Sequence, residues 1–378
     1  MFNEKITSKL AVQHQLNLFR DPPLFSSKSG KYLFLERKKI LNFASNDYLG
    51  LADDETLKNR IVECFAKYPV SASSSRLVSG NLKTIREAEL KYAEHFGFED
   101  ALFFPSGFQA NLALGASLFD SRDQIFYDKH VHASLVNGFK LNPGNPVGYN
   151  HNSMSHLEKR LSKSSSALKG VFTESLFSMD GDLLPKDEFT DLKEKFSFTA
   201  IIDEAHSLGA MGAGGRGFAT DLADITLGTF GKAFGLFGAV VLLPEVVREY
   251  LLNFASAQIY TTSLPPSQAA AASIILDEIK QADKKRNQLA ENSEYMKSCL
   301  ISAGFSVAGA AHIISVQIGN EAKALYSAKE LLKSGFFVLA ARFPTVPKNK
   351  AILRLGMSAL HTKDEIETFV EKLKEIGH

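Results

Sequence analysis

Thr229-Phe230-Gly231-Lys232-Ala233-Phe234-Gly235 sets one lysine among small and apolar neighbours, just after an apolar run, Ile225 to Leu227, that reads as a buried strand ending at Gly228. An ammonium in such a place is costly to desolvate unless it has a charged partner or is chemically consumed. Two readings of Lys232 follow. It snorkels from a strand end to water, or it condenses with an aldehyde and sheds its charge as a Schiff base. The lysine's company along the chain separates the two, beginning with Asp203-Glu204-Ala205-His206 just upstream.

Around this stretch the pattern alternates. Apolar runs at Ala101–Phe104, Gln124–Tyr127, Gly170–Thr173, Thr199–Ile202, Asp224–Leu227 and Ala239–Leu243 are mostly separated by helix-like segments. Strands without a polar face, alternating with helices, mark an α/β protein whose largely parallel sheet is covered on both sides. Leu82, Ile85, Ala88, Tyr92 and Phe96 recur at helical spacing ahead of the first run. Residues 3–18 read as a helix, and Tyr32–Leu35 and Ile40–Phe43 as short strands. A long helical region from Pro266 to about Leu300 leads into an α+β portion. Its last helix opens on a capping box, Thr362 to Glu365, with Ile366, Phe369, Val370 and Leu373 on one face. The expected division is an N-terminal helix and arm over 1–45, a large domain over 46–270 and a smaller domain over 271–378.

Composition narrows the class. With 43 Lys and Arg against 42 Asp and Glu, the net charge of +1 gives no footprint for nucleic acid or an anionic membrane. Two cysteines, Cys64 and Cys299, are too few for a disulfide framework or a metal cluster and fit a reducing, cytoplasmic setting. The first residues lack the apolar core of a signal peptide. The most apolar run, Ala269 to Leu276, is far short of the roughly 20 residues a membrane span needs.

In an open parallel sheet, ligands collect at the carboxyl ends of the strands. Ser106-Gly107-Phe108-Gln109-Ala110-Asn111 follows one such strand and opens a helix, either as an ordinary serine-capped turn or as a cradle whose free amides hold a phosphate. Asp203 either caps the next helix or holds a proton on a buried heterocyclic nitrogen. His206, three residues on, is its neighbour. His130 and His132 could imitate a metal pair, but no third ligand stands nearby, so no metal is expected.

Two motifs point elsewhere. Asp203 to His206 spells a helicase box, and Gly212-Ala213-Gly214-Gly215-Arg216-Gly217 fits a dinucleotide fingerprint. The helicase reading needs a phosphate loop of the form G-x-x-x-x-G-K-[ST]. Here Ala233 follows Lys232 and Thr226 replaces the first glycine; the glycine run does not sit directly between a βαβ strand and its helix and Arg216 interrupts it, so it reads instead as a flexible loop over a site.

The ordered set Ser45 to Leu51, Ser75 to Gly80, Ser106 to Phe108, His132 to Leu135, His151-Asn152, Thr173-Glu174, Phe177 to Asp182, Asp203 to His206, Thr229 to Lys232, Ile259 to Pro266, Pro344 to Pro347 and Leu353 to Leu355 resembles the α-oxoamine synthase family of pyridoxal-phosphate enzymes, fold type I. The resemblance covers nearly the whole chain. It implies a mostly parallel seven-stranded sheet and a homodimer whose sites are completed across the two-fold. It implies that Lys232 joins the aldehyde of pyridoxal 5'-phosphate, that Asp203 keeps the ring nitrogen protonated and that His132 stacks on the ring. Ser178 and His206 would serve the phenolic oxygen, and Gly107, Phe108 and Thr229 the phosphate, with Thr261 or Thr262 from a second subunit. Asn46 and Arg354 would hold the amino-acid carboxylate, and Arg20 and Thr345 the acyl substrate.

The implied reaction is a decarboxylative condensation of L-alanine with a pimeloyl thioester, carried on coenzyme A or an acyl carrier protein. Relatives using glycine with acetyl or succinyl thioester are the alternatives. Ser71 to Ser75 departs from the resemblance, being serine-rich where the family often carries glycines.

Overall fold

The apolar runs pair into one seven-stranded sheet in the computed structural model, which describes residues 1–377. Its strands, numbered here in chain order, are β1 (Asp100–Phe104), β2 (Gln124–Asp128), β3 (Asn145–Tyr149), β4 (Lys169–Glu174), β5 (Thr199–Asp203), β6 (Ile225–Thr229) and β7 (Ala239–Leu243). They lie in the order β1-β7-β6-β5-β4-β2-β3. β2 to β6 run parallel to one another, and β7 alone is antiparallel, to both β6 and β1. The reversal at β7 has a local cause. Only nine residues, 230–238, join it to β6, too few for the crossover that a parallel neighbour requires.

Successive residues of each strand feed opposite faces, and both faces are core. Ile125, Phe172 and Ile201 join one cluster with Leu102, Leu114 and Leu227. Phe126, Val171, Ala200 and Ile202 join another with Leu157, Phe189 and Leu192. Burial on both sides is why the strands carry unbroken apolar runs. β3 escapes that pattern. It is an edge strand with Pro146 and mostly half-exposed positions, which an edge tolerates and a central strand does not.

The chain divides into two compact units. One holds residues 49–178 and 183–287; the other holds 1–48, 179–182 and 288–377. Residues 271–287, assigned from sequence to the smaller domain, pack within the large unit. There the helix Pro266–Gln281 lies on the helix Lys83–Phe96, tied by Lys91 to Asp277 at 2.7 Å and by the Tyr92 hydroxyl donating to the Ala272 carbonyl at 2.9 Å.

The second unit contains two small four-stranded sheets. The first places Tyr32–Leu35 antiparallel to Lys38–Asn42, which in turn pairs in parallel with Phe336–Phe337. The second is antiparallel throughout, around Ile313–Gly319 and Ala351–Gly356. Residues of the N-terminal arm are bound into this unit: Lys31 meets Glu365 at 2.7 Å, and the Tyr32 hydroxyl donates to the same carboxylate at 2.8 Å. The helix Lys363–Gly377 opens on the expected capping box, the Thr362 amide donating to Glu365 and the Glu365 amide to Thr362 Oγ1. Residues 179–182 join by main-chain bonds, the Ala310 amide donating to the Gly181 carbonyl at 2.7 Å. Gly181 has φ +70, and a Cβ there would stand 2.2 Å from the Ile313 carbonyl oxygen, so no other residue fits. Among the described residues no helix is long and apolar enough to cross a membrane.

His361 makes stability in this unit pH-dependent. Its Nδ1 accepts the Ser358 amide at 3.1 Å and its Nε2 donates to the Asn42 carbonyl at 3.2 Å, an arrangement that needs the neutral ring. Burial lowers its pKa from 6.5 to about 4. The folded value lies below the unfolded one, so the neutral ring contributes fully above pH ~6.5, and the contribution fades as pH falls towards about 4. A shift of this size corresponds to about 3 kcal/mol. Urea unfolding between pH 7 and 4 is expected to lose stability more steeply in the native chain than in His361→Gln. Parallel curves would contradict it.

Candidate active site

A cleft of about 150 Å³ opens at the carboxyl ends of the central strands. Each wall has a local cause. β1 ends in Pro105 and Ser106, and Ser106 caps the helix Gly107–Ser117 by accepting the Gln109 amide at 3.3 Å. That bond leaves the amides of Gly107 and Phe108 at the helix start, the position where an anion is favoured. Thr229, the last residue of β6, lies beside them: a Cβ on Gly107 would stand 3.6 Å from the Thr229 Cβ. The connection from β6 to β7 is closed by the Gly235 amide donating to the Lys232 carbonyl at 2.9 Å. Gly235 has φ +63 and lies against the main chain of Ala52, where a Cβ would come within 2.5 Å of the amide nitrogen. The hairpin is thereby fixed with Lys232 on the cleft.

Asp203 ends β5 at 6% exposure. Its Oδ2 accepts from Asn111 Nδ2 at 2.7 Å and its Oδ1 from the Ala205 amide at 2.9 Å. His132 follows β2 and caps the helix Ala133–Phe139; its Nδ1 accepts the Ser134 amide and stands 2.6 Å from the Ser134 hydroxyl. That leaves Nε2 to carry the proton of the neutral ring. Phe108 meets His132 edge to face, ring centres 6.4 Å apart. Burial pushes the His132 pKa down, with Asp203 acting against the shift and Lys232 adding to it. Glu174, at the end of β4, is held well above the usual carboxyl range by burial and by Asp203, against the pull of Lys232. These four ionisable groups therefore share one field.

Of the residues singled out from sequence, Gly107, Phe108, His132, Asp203, His206, Thr229 and Lys232 line this cleft. Ser178 is half-buried after β4 and is not among the lining residues. Arg20, Asn46, Thr345 and Arg354 belong to the other unit. There Arg354, 4% exposed, donates to Asn46 Oδ1 at 3.3 Å, and Tyr48 donates to the same oxygen at 3.1 Å. Arg20 and Thr345 are exposed.

Two polar cleft residues carried no assignment from sequence, Asn111 and Glu174. Asn111 had a legible signal: it sits one helical turn after Gly107 and so shares its face. Glu174 also had one, since it follows the apolar run Gly170–Thr173 at a strand's carboxyl end, but only the β4–β5 register sets it beside Asp203.

The two misleading motifs have a structural explanation. Glu204 of the helicase-like box is fully buried and accepts from the Phe218 and Ala219 amides at 3.0 and 2.6 Å and from the hydroxyls of Ser175 and Ser207. It anchors the end of the glycine run, which is also held by His95 on the Gly214 carbonyl and by the Gly214 amide on Asp283. None of residues 212–217 lines the cleft. The flexible loop expected over a site is instead a tethered turn, because its polar main chain is bonded at both ends.

The sequence pattern of aminotransferases of class I and II matches residues 38–373. A Bacillus cereus (strain Q1) protein named "Putative 8-amino-7-oxononanoate synthase" is 37% identical over 379 residues, covering 98% of this chain and 96% of the relative. Among solved structures, a serine palmitoyltransferase variant from S. paucimobilis with a bound PLP–myriocin aldimine superposes with a TM-score of 0.91 at 26% identity, over 99% of this chain and 96% of that one. The 8-amino-7-oxononanoate synthase of Francisella tularensis superposes with a TM-score of 0.77 at 31% identity, over 89% and 97% of the two chains.

Proposed function

The chain belongs to the aminotransferase class I and II family, and from that premise we propose that it condenses L-alanine with a pimeloyl thioester to give 8-amino-7-oxononanoate, carbon dioxide and free thiol. It is a pyridoxal-phosphate enzyme of the α-oxoamine synthase type with the fold type I architecture. The observation that carries the finer assignment is the full-length likeness to the Bacillus cereus relative. The product would serve biotin synthesis in the cytoplasm.

The cleft's donor set fits the cofactor. It offers an amine, a buried carboxylate braced by Asn111, two helix-start amides beside a threonine hydroxyl, and the buried Glu174 Oε1, which meets no hydrogen-bonding group among the described residues. When bound, pyridoxal phosphate supplies an aldehyde that condenses with amines and a ring that accepts electrons. Lys232 would contribute the amine that holds the cofactor and a base for proton transfer. Asp203 holds a proton at the ring nitrogen, and Asn111 and the Ala205 amide fix the carboxylate's orientation. His132 supports the ring face, Gly107, Phe108 and Thr229 bind the phosphate, and Ser178 and His206 attend the phenolic oxygen. Arg354 with Asn46 binds the amino-acid carboxylate; a guanidinium buried to 4% exposure is suited to pairing with one. Arg20 and Thr345 contact the acyl substrate.

The working form is read as a homodimer, with Thr261 or Thr262 reaching the partner's phosphate. Val62, Phe65, Val70, Leu77, Val78 and Tyr260 are exposed. The Ser263 amide donates to the Ser74 carbonyl, and the Ser267 amide to that of Pro69, so the segments bearing several of these side chains adjoin. Such a patch on one unit is what a second copy would cover.

The closeness of the serine palmitoyltransferase superposition favours one other reading, serine with a long-chain acyl thioester. A screen of alanine, glycine and serine against acetyl, succinyl, pimeloyl and palmitoyl thioesters, followed by thiol release, separates them. Alanine with the pimeloyl thioester is expected to give the highest kcat/KM. Release with glycine or serine alone would displace the substrate assignment.

A further inference from the structure

Glu174 is the one acid of the cleft to which the scheme above gives no task. It ends β4 in register with Asp203 at the end of β5, so both carboxyls leave neighbouring strands on the same side of the sheet. They are 2% and 6% exposed, and both line the cleft. Their surroundings differ. Asp203 accepts two hydrogen bonds, from Asn111 and from the Ala205 amide. The His132 main chain favours the charged form of Glu174, and the Glu174 Oε1 meets no hydrogen-bonding group among the described residues.

Two carboxyls side by side and out of water do not both stay ionised, and the shared proton goes to the one with fewer donors. The charged groups facing Glu174 are Asp203 from β5, Asp128 from β2 and Lys232 from the β6–β7 connection, with the His132 main chain completing the set. Burial and the two acids oppose ionisation of Glu174. One ammonium and one amide favour it.

We propose that Glu174 is a neutral carboxylic acid at the pH of turnover and donates a hydrogen bond from its free oxygen to an oxygen of the molecule filling the cleft. The inference rests on the assignment of this cleft to pyridoxal phosphate. The acceptor is an electron-rich oxygen, available from two sources: the cofactor's phenolic oxygen and the carbonyl of the thioester. A neutral acid suits either, since it gives a donor without adding positive charge beside Lys232.

The test compares the cofactor-loaded chain with Glu174→Gln and Glu174→Ala. The infrared difference spectrum of native minus Glu174→Gln is expected to show a carboxylic-acid C=O band that moves in heavy water; carboxylate bands alone would overturn the proposal. Glu174→Ala is expected to lose about 100-fold in kcat, the lower end of what removing one oriented donor costs. Glu174→Gln, whose amide donates from the same place, is expected to recover most of that. If the acceptor is the cofactor's oxygen, Glu174→Ala also shifts the pH midpoint of the visible absorbance band without substrate. If it is the thioester carbonyl, the band stays and the loss falls on kcat with the KM for the amino acid unchanged. Native turnover in Glu174→Ala would overturn the proposal. Borohydride reduction of native chain tests the cleft assignment separately: if it does not attach the cofactor to Lys232, that assignment fails whatever Glu174 shows.

Discussion

Lys232→Ala is expected to lower kcat by at least about 10³-fold, because one side chain carries both the nucleophile and the base of the scheme. The fold should survive. Lys232 is half-buried, and the hairpin is closed by its main-chain carbonyl, not its side chain. Borohydride reduction followed by peptide mass analysis is the direct check. The native chain should carry the cofactor's mass on the peptide containing residue 232, and the variant should carry none. Modification of a different lysine in both proteins would remove Lys232 from its role and leave only the strand-end reading.

Asp203→Asn is expected to cost about 10²- to 10³-fold in kcat, the range for one oriented electrostatic partner, with little loss of stability. The carboxylate accepts from Asn111 and from the Ala205 amide. An asparagine there keeps one acceptor, and Asn111 can turn its amide to offer an oxygen to the other position. Geometry is kept and the negative charge is lost. Exchange of the substrate α-proton with heavy water should fall together with kcat, because the charge acts on proton removal. Retention of activity within about tenfold, on the same scale, would show that the ring proton does not depend on this acid.

Much of this protein was legible along the chain. The alternation of apolar runs placed six strands of the large sheet to within about two residues, since strands buried on both faces carry few polar positions. The capping box at Thr362 and Glu365 was equally local and is formed. β3 was not legible, because an edge strand with Pro146 needs no apolar run. The four residues 179–182 were also hidden: their place depends on the Ser315 hydroxyl donating to the Met179 carbonyl and the Ala310 amide to that of Gly181, which composition does not record.

The sequence by itself determined the chemistry on offer: an amine after β6, an acid after β5, a histidine after β2 and a capped glycine turn after β1, each at a strand's carboxyl end. Strand order and register decided which of them meet. Asp203 and Glu174 lie 29 residues apart in the chain, yet they face each other because Glu174 pairs with Asp203 across β4 and β5. Asn111 reaches Asp203 because the helix after β1 returns over the sheet. Residue types follow from local propensity and burial. Which acid keeps its proton depends on partners that only the folded chain brings within a hydrogen bond's length.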